Sequence, residues 1–341
     1  MALVASAGAI APDATGAQPT GGATFKAFKS VSIHDGSIGI FAQLTGGVGP
    51  LKASAANDLG LWLKDGGTFR LAFRTGQTVG GKTIKSLVTF LPGAGSPGQG
   101  RGWVGRYGEG EAHVLALFTD KTQGILLQNL DDHTPSILSL SGSITDGPPD
   151  IGDATFASYS FPAHNDAGAT SFAATLNVDA ASHVTKADVR GIFLSSNSGD
   201  AYKPLARIGK PSGILSAAFS KLSDPVLSED GSVAFTGTLN GGTAKGLATK
   251  TLWWKPAGQR LQLLAQGGAA TVGDLSGAQW NSFDSLAITD RGPLFAAKLV
   301  PNKTNVTSKT ASGVWACDFT GALRLLFRTG DTTIIARLTE H

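Results

Sequence analysis

Short apolar segments that end in glycine recur along the whole chain. They read LVASAG (3–8), LAFRTG (71–76), ILSLSG (137–142), LARIG (205–209), LLAQGG (263–268) and LLFRTG (325–330). With Gly8, Gly76, Gly142, Gly209, Gly267 and Gly330 as markers, the intervals are 68, 66, 67, 58 and 63 residues. A near-constant spacing of this size is typical of a repeat architecture. It predicts five units in a single domain over 1–341, at 9–76, 77–142, 143–209, 210–267 and 268–330, with a partial unit at 331–341.

Two further segments recur inside these units. One joins a polar turn to an apolar strand, as in IHDGSIGIFAQL (33–44), NDAGATSFAATL (165–176), SEDGSVAFTGTL (228–239) and the shorter ITDRGPLFAAKL (288–299). The other is a short apolar strand: LGLWL (59–63), QGILL (123–127), RGIFL (190–194), TLWW (251–254) and SGVWA (312–316). With an inner strand before the turn, each unit has four short strands and no convincing helical period. This pattern predicts an antiparallel meander of four strands per unit.

The length of the unit decides between two ways of repeating such a meander. A solenoid coil usually takes about 20–45 residues, whereas a four-stranded blade with ordinary loops takes about 40–65. The sequence therefore predicts an all-β protein, a β-propeller of about five complete four-stranded antiparallel blades. Partial strands are expected at both termini, which suggests a fragment of a larger ring. The blades are expected near residues 26–76, 82–142, 156–209, 218–267 and 280–330.

The turn of the second segment carries a carboxylate in four units, at Asp35, Asp166, Asp230 and Asp290. A catalytic acid or a metal ligand is needed once or twice, whereas a tight turn is needed in every blade. Asp and Gly are the residues that such turns favour. These acids are therefore interpreted as turn residues. Gly36, Gly168 and Gly231 are expected in or beside tight turns, with positive φ in at least two of the three.

These segments resemble a known family. NDAGATSFAATL and SEDGSVAFTGTL are similar to the NxxGxxAFxAxL tandem repeat of bacterial surface proteins of the choice-of-anchor type. Asn165 and Gly168 match the Asn and Gly of the pattern, while Ser228 replaces the Asn in the fourth unit. The resemblance implies a propeller-like fold and an extracytoplasmic or cell-surface location. It assigns no activity and no functional residues.

Composition excludes several classes of protein. The formal charge is +3 and no run of basic residues occurs, which argues against a nucleic-acid partner. Cys317 is the only cysteine, so an internal disulfide is excluded, and its apolar surroundings predict a small buried residue. No segment approaches 18 consecutive apolar residues, and no basic residue precedes Lys26, so neither a transmembrane segment nor a clear signal peptide is predicted.

The second unit departs from the others and supplies the candidate metal site. It reads GEGEAH in place of the Asp-Gly turn, and Glu109, Glu111 and His113 alternate, so that a strand would place them on one face. Two carboxylates and an imidazole could hold a divalent cation. The alternative is a solvated hairpin tip followed by an edge residue.

Other polar clusters have ordinary structural interpretations. Asp131, Asp132 and His133 form a polar turn, and Asp146, Asp150 and Asp153 lie in a proline-rich connector without a calcium-loop spacing. Trp62, Trp254 and Trp315 recur in the third strand, where packing between blades is favoured over a sugar-stacking platform.

Two hypotheses of function remain open. The first is a non-catalytic rigid scaffold that binds a glycan or protein partner, without a cofactor. The second is a propeller enzyme that acts on polysaccharide, which would need paired carboxylates at a defined separation. Catalytic residues and oligomeric state are not predicted.

Overall fold

The structure is a computed structural model, and it describes most of the chain. The described residues are 4–34, 37–65, 67–88, 107–108, 111–129, 133–144, 151–165, 167–195, 202–271, 275, 277–289, 291–302, 304–318 and 320–331. Of these, residues 32–34, 37, 65, 107, 108 and 111 are described by their backbone only.

The strands form five separate antiparallel sheets, each built from one repeat. The first blade contains β1 (Thr24–His34), β2 (Ser37–Thr45), β3 (Leu59–Asp65) and β4 (Thr68–Arg74). The second contains β5 (Thr78–Val79), β6 (Lys82–Val88), β7 (Tyr107–Gly108), β8 (Glu111–Phe118), β9 (Gln123–Asn129) and β10 (Pro135–Leu140).

The remaining three blades follow in the same order along the chain. The third contains β11 (Phe156–Tyr159), β12 (Ala163–His164), β13 (Thr170–Leu176), β14 (Arg190–Ser195) and β15 (Lys203–Arg207). The fourth contains β16 (Ala218–Leu222), β17 (Val226–Leu227), β18 (Val233–Asn240), β19 (Lys250–Lys255) and β20 (Gln262–Gln266). The fifth contains β21 (Trp280–Thr289), β22 (Gly292–Leu299), β23 (Ser312–Cys317) and β24 (Leu323–Arg328). Short 3₁₀ turns occur at Gly49–Leu51 and Gly246–Thr249.

This arrangement confirms the predicted all-β propeller of four-stranded blades. The observed sheets begin and end within two residues of the predicted blades, except that the second begins at Thr78, four residues before its predicted start. The β18 strand pairs with β16, β17 and β19, all within its own unit. In the third and fourth blades the first strand is divided in two, as β11 with β12 and as β16 with β17, and both parts pair with the second strand.

Consecutive blades are joined by a pair of backbone hydrogen bonds at a glycine. The glycine N–H donates to a carbonyl in the first strand of the following blade, and that strand donates back to the carbonyl of the residue after the glycine. The forward bonds between blades are Gly76 to Ile84, Gly142 to Phe156, Gly209 to Phe219 and Gly268 to Trp280, and Gly8 makes the same bond to Phe25 at the start of the first blade, all at 2.7–2.8 Å. All five glycines have positive φ, between 71° and 93°, which favours glycine. The fourth of the repeat-to-repeat junctions therefore lies at Gly268, one residue after the Gly267 marker.

The expected partial strands at the termini are not confirmed. Residues 4–7 form no strand, although Val4 and Ala5 pack against the apolar residues of the first blade. Of the partial unit at 331–341, only Asp331 is among the described residues.

The glycine of the third strand makes room for a large side chain two residues later. A Cβ on Gly60 or Gly313 would lie 2.7 or 2.8 Å from the ring of Trp62 or Trp315. The fourth blade has Thr251 instead, and its hydroxyl accepts a 2.7 Å hydrogen bond from Trp253 Nε1. Trp253 is therefore the counterpart of Trp62 and Trp315, and the sequence alignment that placed Trp254 there is wrong by one residue.

Clusters of buried apolar side chains connect each blade to the next. Separate clusters join the first and second, second and third, third and fourth, and fourth and fifth blades. The three equivalent tryptophans, Trp62, Trp253 and Trp315, are only 1–2% exposed. Each belongs to one of these clusters or to the cluster of the first blade. They therefore contribute to packing rather than to a sugar-binding platform. Among the described residues, none of the clusters joins the fifth blade to the first.

Candidate binding groove between the fourth and fifth blades

The candidate metal ligands of the second blade are described only in part. Glu109 lies outside the described residues, and Glu111 is described by its backbone, which pairs with Gly108 and Asn129. His113 lies in β8 and is 1% exposed. The alternative of a solvated tip and edge residue is therefore wrong for His113, because its side chain is buried.

His113 stacks on a second histidine that belongs to the next blade. The rings of His113 and His164 are 3.7 Å apart at their centroids, with an angle of 19° between their planes. His164 is also 1% exposed, and its Nδ1 lies 3.2 Å from Thr170 Oγ1. A metal ion binds imidazole in the plane of the ring, so two parallel stacked rings are poorly placed to share one ion. In the described part of the chain, no group of three or more His, Cys, Asp or Glu side chains could hold a metal ion.

The repeated turn is stabilised by its polar residues. Gly168 and Gly231 have φ of 82° and 83°, which confirms the prediction of positive φ in at least two turns, while Gly36 lies outside the described residues. The Asp230 carboxylate accepts hydrogen bonds from Ser232 N and Oγ, at 2.8 and 2.9 Å, and from Ser228 Oγ. Asp230 thus behaves as a turn residue. Its counterparts in the other blades lie outside the described residues: Asp35, Asp166 and Asp290.

Asn165 connects the turn of the third blade to that of the fourth. Its Oδ1 accepts from Ala169 N at 2.8 Å, and its Nδ2 donates to the carbonyl of Ser228 at 2.9 Å. The side chain is fully buried. The Asn of the repeat pattern therefore has a structural role, which the sequence alone did not indicate.

Most of the remaining candidate residues lie outside the described part of the chain. His133 and Asp153 are described and lie in loops, while Asp131, Asp132, Asp146 and Asp150 lie outside the described residues. Cys317 is buried as predicted, and burial raises the pKa of its thiol to about 12. A thiol that stays protonated at neutral pH is a poor nucleophile.

A contact that recurs between neighbouring blades lies beside a second candidate site, which is separate from the predicted metal site. The first residue of the third strand extends to the first strand of the following blade in three successive units. Gln123 Oε1 accepts from Tyr159 N at 3.1 Å, Arg190 lies 3.6 Å from Asp224, and Lys250 Nζ donates to Asn281 O at 2.9 Å. In the fourth blade this contact crosses one side of an open groove.

The groove lies between the fourth and fifth blades and has a volume of about 450 Å³. Its fourth-blade wall comes from β16, β18 and β19, and its fifth-blade wall from the start of β21. Phe283 provides apolar surface, and Leu222 borders the groove while its side chain packs toward the third blade. The other lining residues are polar or small: Lys221, Ser223, Thr236, Gly237, Thr238, Lys250, Thr251, Ser282 and Asp284.

Three polar side chains form a row across the fourth-blade wall. Lys221 in β16 pairs with Thr238 in β18, and Thr238 pairs with Lys250 in β19. Residues opposite one another in neighbouring strands lie on the same face of a sheet, so the two lysines flank the threonine. Adjacent strands are about 4.8 Å apart, which places the Cα atoms of the lysines about 10 Å from each other.

The charges of the groove do not cancel. Within the described residues, neither Lys221 nor Lys250 has an acidic partner at ion-pair distance. Asp284 accepts from Ser282 Oγ at 2.8 Å and lies 3.6 Å from Lys298 Nζ, so its charge already has a counterion. The groove therefore carries an excess of positive charge.

The hydroxyl groups of the groove fall into two sets. Thr251 Oγ1 donates to Gly237 O and accepts from Trp253 Nε1, and Ser223 Oγ is also bonded within the fourth blade. By contrast, the hydroxyls of Thr236 and Thr238 form no hydrogen bond with any described residue. These two hydroxyls are available to a ligand.

Comparison with known proteins identifies the family of the chain. A family of unknown function, DUF7453, matches residues 1–337, and the chain belongs to this family. No curated protein matches the chain. Among the described residues, no helix is long and apolar enough to cross a membrane.

Several solved structures resemble the chain at low identity. A puromycin hydrolase in complex with PGG is 12% identical with a TM-score of 0.45, over 95% of this chain and 40% of that one. An α-L-arabinanase of Penicillium chrysogenum is 16% identical with a TM-score of 0.36, over 84% and 77% of the two chains. The β-propeller domain of the Trilobed protease of Pyrococcus furiosus is 6% identical with a TM-score of 0.37, over 89% and 84%. The chain thus spans less than half of the length of the puromycin hydrolase.

Proposed function

We propose that this protein is a non-catalytic β-propeller that binds a glycan in the groove between its fourth and fifth blades. The blades provide a rigid scaffold, and the groove provides the contact surface. The observation that carries this proposal is the lining of the groove, in which available hydroxyl and ammonium groups surround a small apolar area.

This lining suits a sugar. A volume of about 450 Å³ lies within the range of small-molecule sites, which is roughly 300–1,000 Å³. Sugars present hydroxyl groups on their edges and C–H groups on their faces. Thr236 and Thr238 would bind the edges, and Phe283 would contact a face.

The carboxylates support a binding role rather than hydrolysis. Glycoside hydrolysis uses two carboxyl groups on opposite sides of the scissile bond. Of the described residues that line the groove, Asp284 alone has a carboxylate, and it is paired with Lys298. Asp230, an acid of the repeated turn, is bonded to its own turn.

We place this activity outside the cytoplasm, at the cell surface. The support is the similarity of NDAGATSFAATL and SEDGSVAFTGTL to the repeat of bacterial surface proteins.

The test is a binding measurement with a panel of short neutral and acidic oligosaccharides. The purified protein is titrated with each by isothermal calorimetry, and each mixture is assayed for new reducing ends. The variant Thr236→Trp fills the groove, and we expect it to weaken binding at least tenfold. The matched control is Ala296→Trp, because Ala296 occupies the same position in β22 that Thr236 occupies in β18.

Three outcomes would contradict the proposal. Failure of every oligosaccharide to bind would remove the function. Equal loss of affinity in Thr236→Trp and Ala296→Trp would remove the groove as the site. Release of reducing ends that Thr236→Trp abolishes would make the protein an enzyme.

A further inference from the structure

The two lysines of the groove depart from the repeat. Lys221 occupies a first-strand position that holds small uncharged residues in the other blades: Ala27, Ser86, Ser158 and Ser282. Lys250 occupies a third-strand position that holds Leu59, Gln123, Arg190 and Ser312 elsewhere. The fourth blade alone has a cation at both positions. The scaffold requires neither charge, since four other blades form without this pair.

Two cations on one face of a sheet need an explanation beyond packing. Lys221 and Lys250 are not directly opposite each other, but their Cα atoms lie only about 10 Å apart, and at this distance two unpaired like charges still repel each other weakly. Lys250 uses one of its three N–H groups on Asn281 O, which leaves two for another acceptor. Lys221 is exposed and directed along the same face. An anion between the two ammonium groups would relieve the repulsion.

From this row we propose that the groove binds an acidic saccharide, one whose sugar units carry carboxylate groups. The inference rests on the proposed function and names the class of glycan. The carboxylate accepts hydrogen bonds from Lys221 and Lys250, and such charge-assisted bonds are stronger than neutral ones. The hydroxyls of Thr236 and Thr238, on the same wall, bind the sugar hydroxyls.

The fifth-blade wall fits the same ligand. Asp284 would repel a carboxylate, but Lys298 lies 3.6 Å from it and offsets its charge. Ser282, in the same wall as Asp284, donates a hydrogen bond to that carboxylate and holds it toward its own strand. The acidic group of the ligand is thus directed to the fourth blade, and the neutral part of the sugar to Phe283.

The experiment compares each acidic oligosaccharide with its own methyl ester. Oligogalacturonate and oligomannuronate are titrated into the full chain alongside the fully esterified forms, which keep every sugar hydroxyl and lose the charge. We expect the acidic form to bind at least tenfold more tightly than the ester. Raising the salt concentration from 50 mM to 500 mM should weaken the acidic form several-fold and leave the ester unchanged.

Variants of the two lysines then test whether they bind the carboxylate of the ligand. Lys221→Gln and Lys250→Gln each keep a hydrogen-bond donor, and glutamine already occupies the second-blade counterpart of Lys250 at Gln123. We expect each variant to weaken binding of the acidic form about tenfold and to leave the ester unaffected. Lys255→Gln is the matched control, because it removes the same charge from the other end of β19, away from the groove.

The outcomes separate this inference from the proposed function. If neutral or esterified sugars bind as tightly as the acids and Thr236→Trp abolishes that binding, the groove binds glycans but the acidic class is wrong. If the lysine variants and Lys255→Gln lose affinity equally, the charge acts at long range and the row is not the site. If no uronate binds, the inference is overturned.

Discussion

The first strands of the fourth and fifth blades contain the same extra residue and accommodate it differently. In the fourth blade, residues 223–225 face only Phe235 and Thr236 of the second strand. In the fifth, residues 284–286 face only Phe295 and Ala296. The fifth blade absorbs the excess as a bulge and β21 continues, whereas in the fourth blade the pairing stops and β16 separates from β17.

A serine and a proline account for the interruption. Ser223 N donates to Thr236 O, and Ser223 Oγ accepts from Thr236 N, both at 2.9 Å, so the serine side chain takes the place of a backbone carbonyl. Pro225 fixes its own φ and restricts the residue before it. The third blade repeats the device with Ser160 and Pro162, and the fifth has Asp284 and Leu286 in these places.

The difference teaches that a short side-chain motif can end a strand at a defined point without loss of backbone hydrogen bonds. The interruption also has a consequence for packing. It places the Asp224 side chain against the third blade, where the largely buried carboxylate lies 3.6 Å from Arg190. The continuous strand of the fifth blade has Ser285 at this position, which cannot make such an ion pair.

The largest expected effect comes from introducing a proline into β21, the continuous first strand of the fifth blade. Leu286→Pro should lower the free energy of unfolding by about 3 kcal/mol or more, because the ring distorts β21 and a buried leucine is lost. Urea unfolding followed by tryptophan fluorescence measures the change. The double variant Asp284→Ser/Leu286→Pro carries the whole motif, and we expect it to recover about 1 kcal/mol of the loss. If the double variant is no more stable than Leu286→Pro, the serine does not compensate for the proline in β21, and this expectation is wrong.

An intermediate effect is expected from removing the serine. Ser223→Ala leaves the N–H of Thr236 without its acceptor, which should cost about 1–2 kcal/mol. Asp284→Ala, at the same place in the continuous strand, removes an exposed ion pair with Lys298 and an exposed hydrogen bond from Ser282, and should cost about 0.5 kcal/mol or less. Equal losses in the same urea titration would mean that the two strands are stabilised alike.

The smallest effect concerns the interrupted strand of the third blade, where β12 ends at His164. The counterparts of His164 are Leu227 and Ile288, so the stacked histidine pair is specific to this blade. Protonating both rings would place two positive charges 3.7 Å apart in the interior. The unfolded chain takes up protons near pH 6.5, so stability should fall as the pH is lowered through that value.

The variant His164→Leu should remove about 1 kcal/mol of this pH dependence between pH 7.5 and 5.5. Melting temperatures at both pH values measure it, with His183→Leu as a control in an exposed turn. Asp120 does not titrate in this range, because hydrogen bonds from Lys82 and Thr122 lower its pKa to about 2. A wild-type protein that is equally stable at both pH values would contradict the expectation.

Much of the fold could be predicted from the sequence because its signals are local. Apolar strands, Asp-Gly turns and terminal glycines repeat along the chain, and they place the blades to within four residues. The tryptophan of the fourth blade was misplaced by one residue, because Thr251 replaces the glycine that identifies the position elsewhere. The Ser-x-Pro motifs at 160–162 and 223–225 were visible in the sequence, but their meaning depends on the partner strand.

The groove could not be predicted in the same way. Its walls come from two blades, and Lys221 and Asp284 are brought together only by the packing of one sheet on the next. His164 and Asn165 were missed for the same reason, since their partners belong to neighbouring blades. One signal was present in the sequence. Once the strand registers are known, Lys221 and Lys250 stand out, because most of the other repeats have uncharged residues at these two positions.

The glycine junctions between blades have an evolutionary consequence. Their hydrogen bonds join backbone to backbone, so they place no demand on side-chain identity except at the glycine itself. A duplicated unit would dock onto its predecessor through the same two bonds, however far its other residues had diverged. Recombination at these glycines could therefore add, delete or exchange whole blades, and a blade with a new groove could spread by copying rather than by redesign.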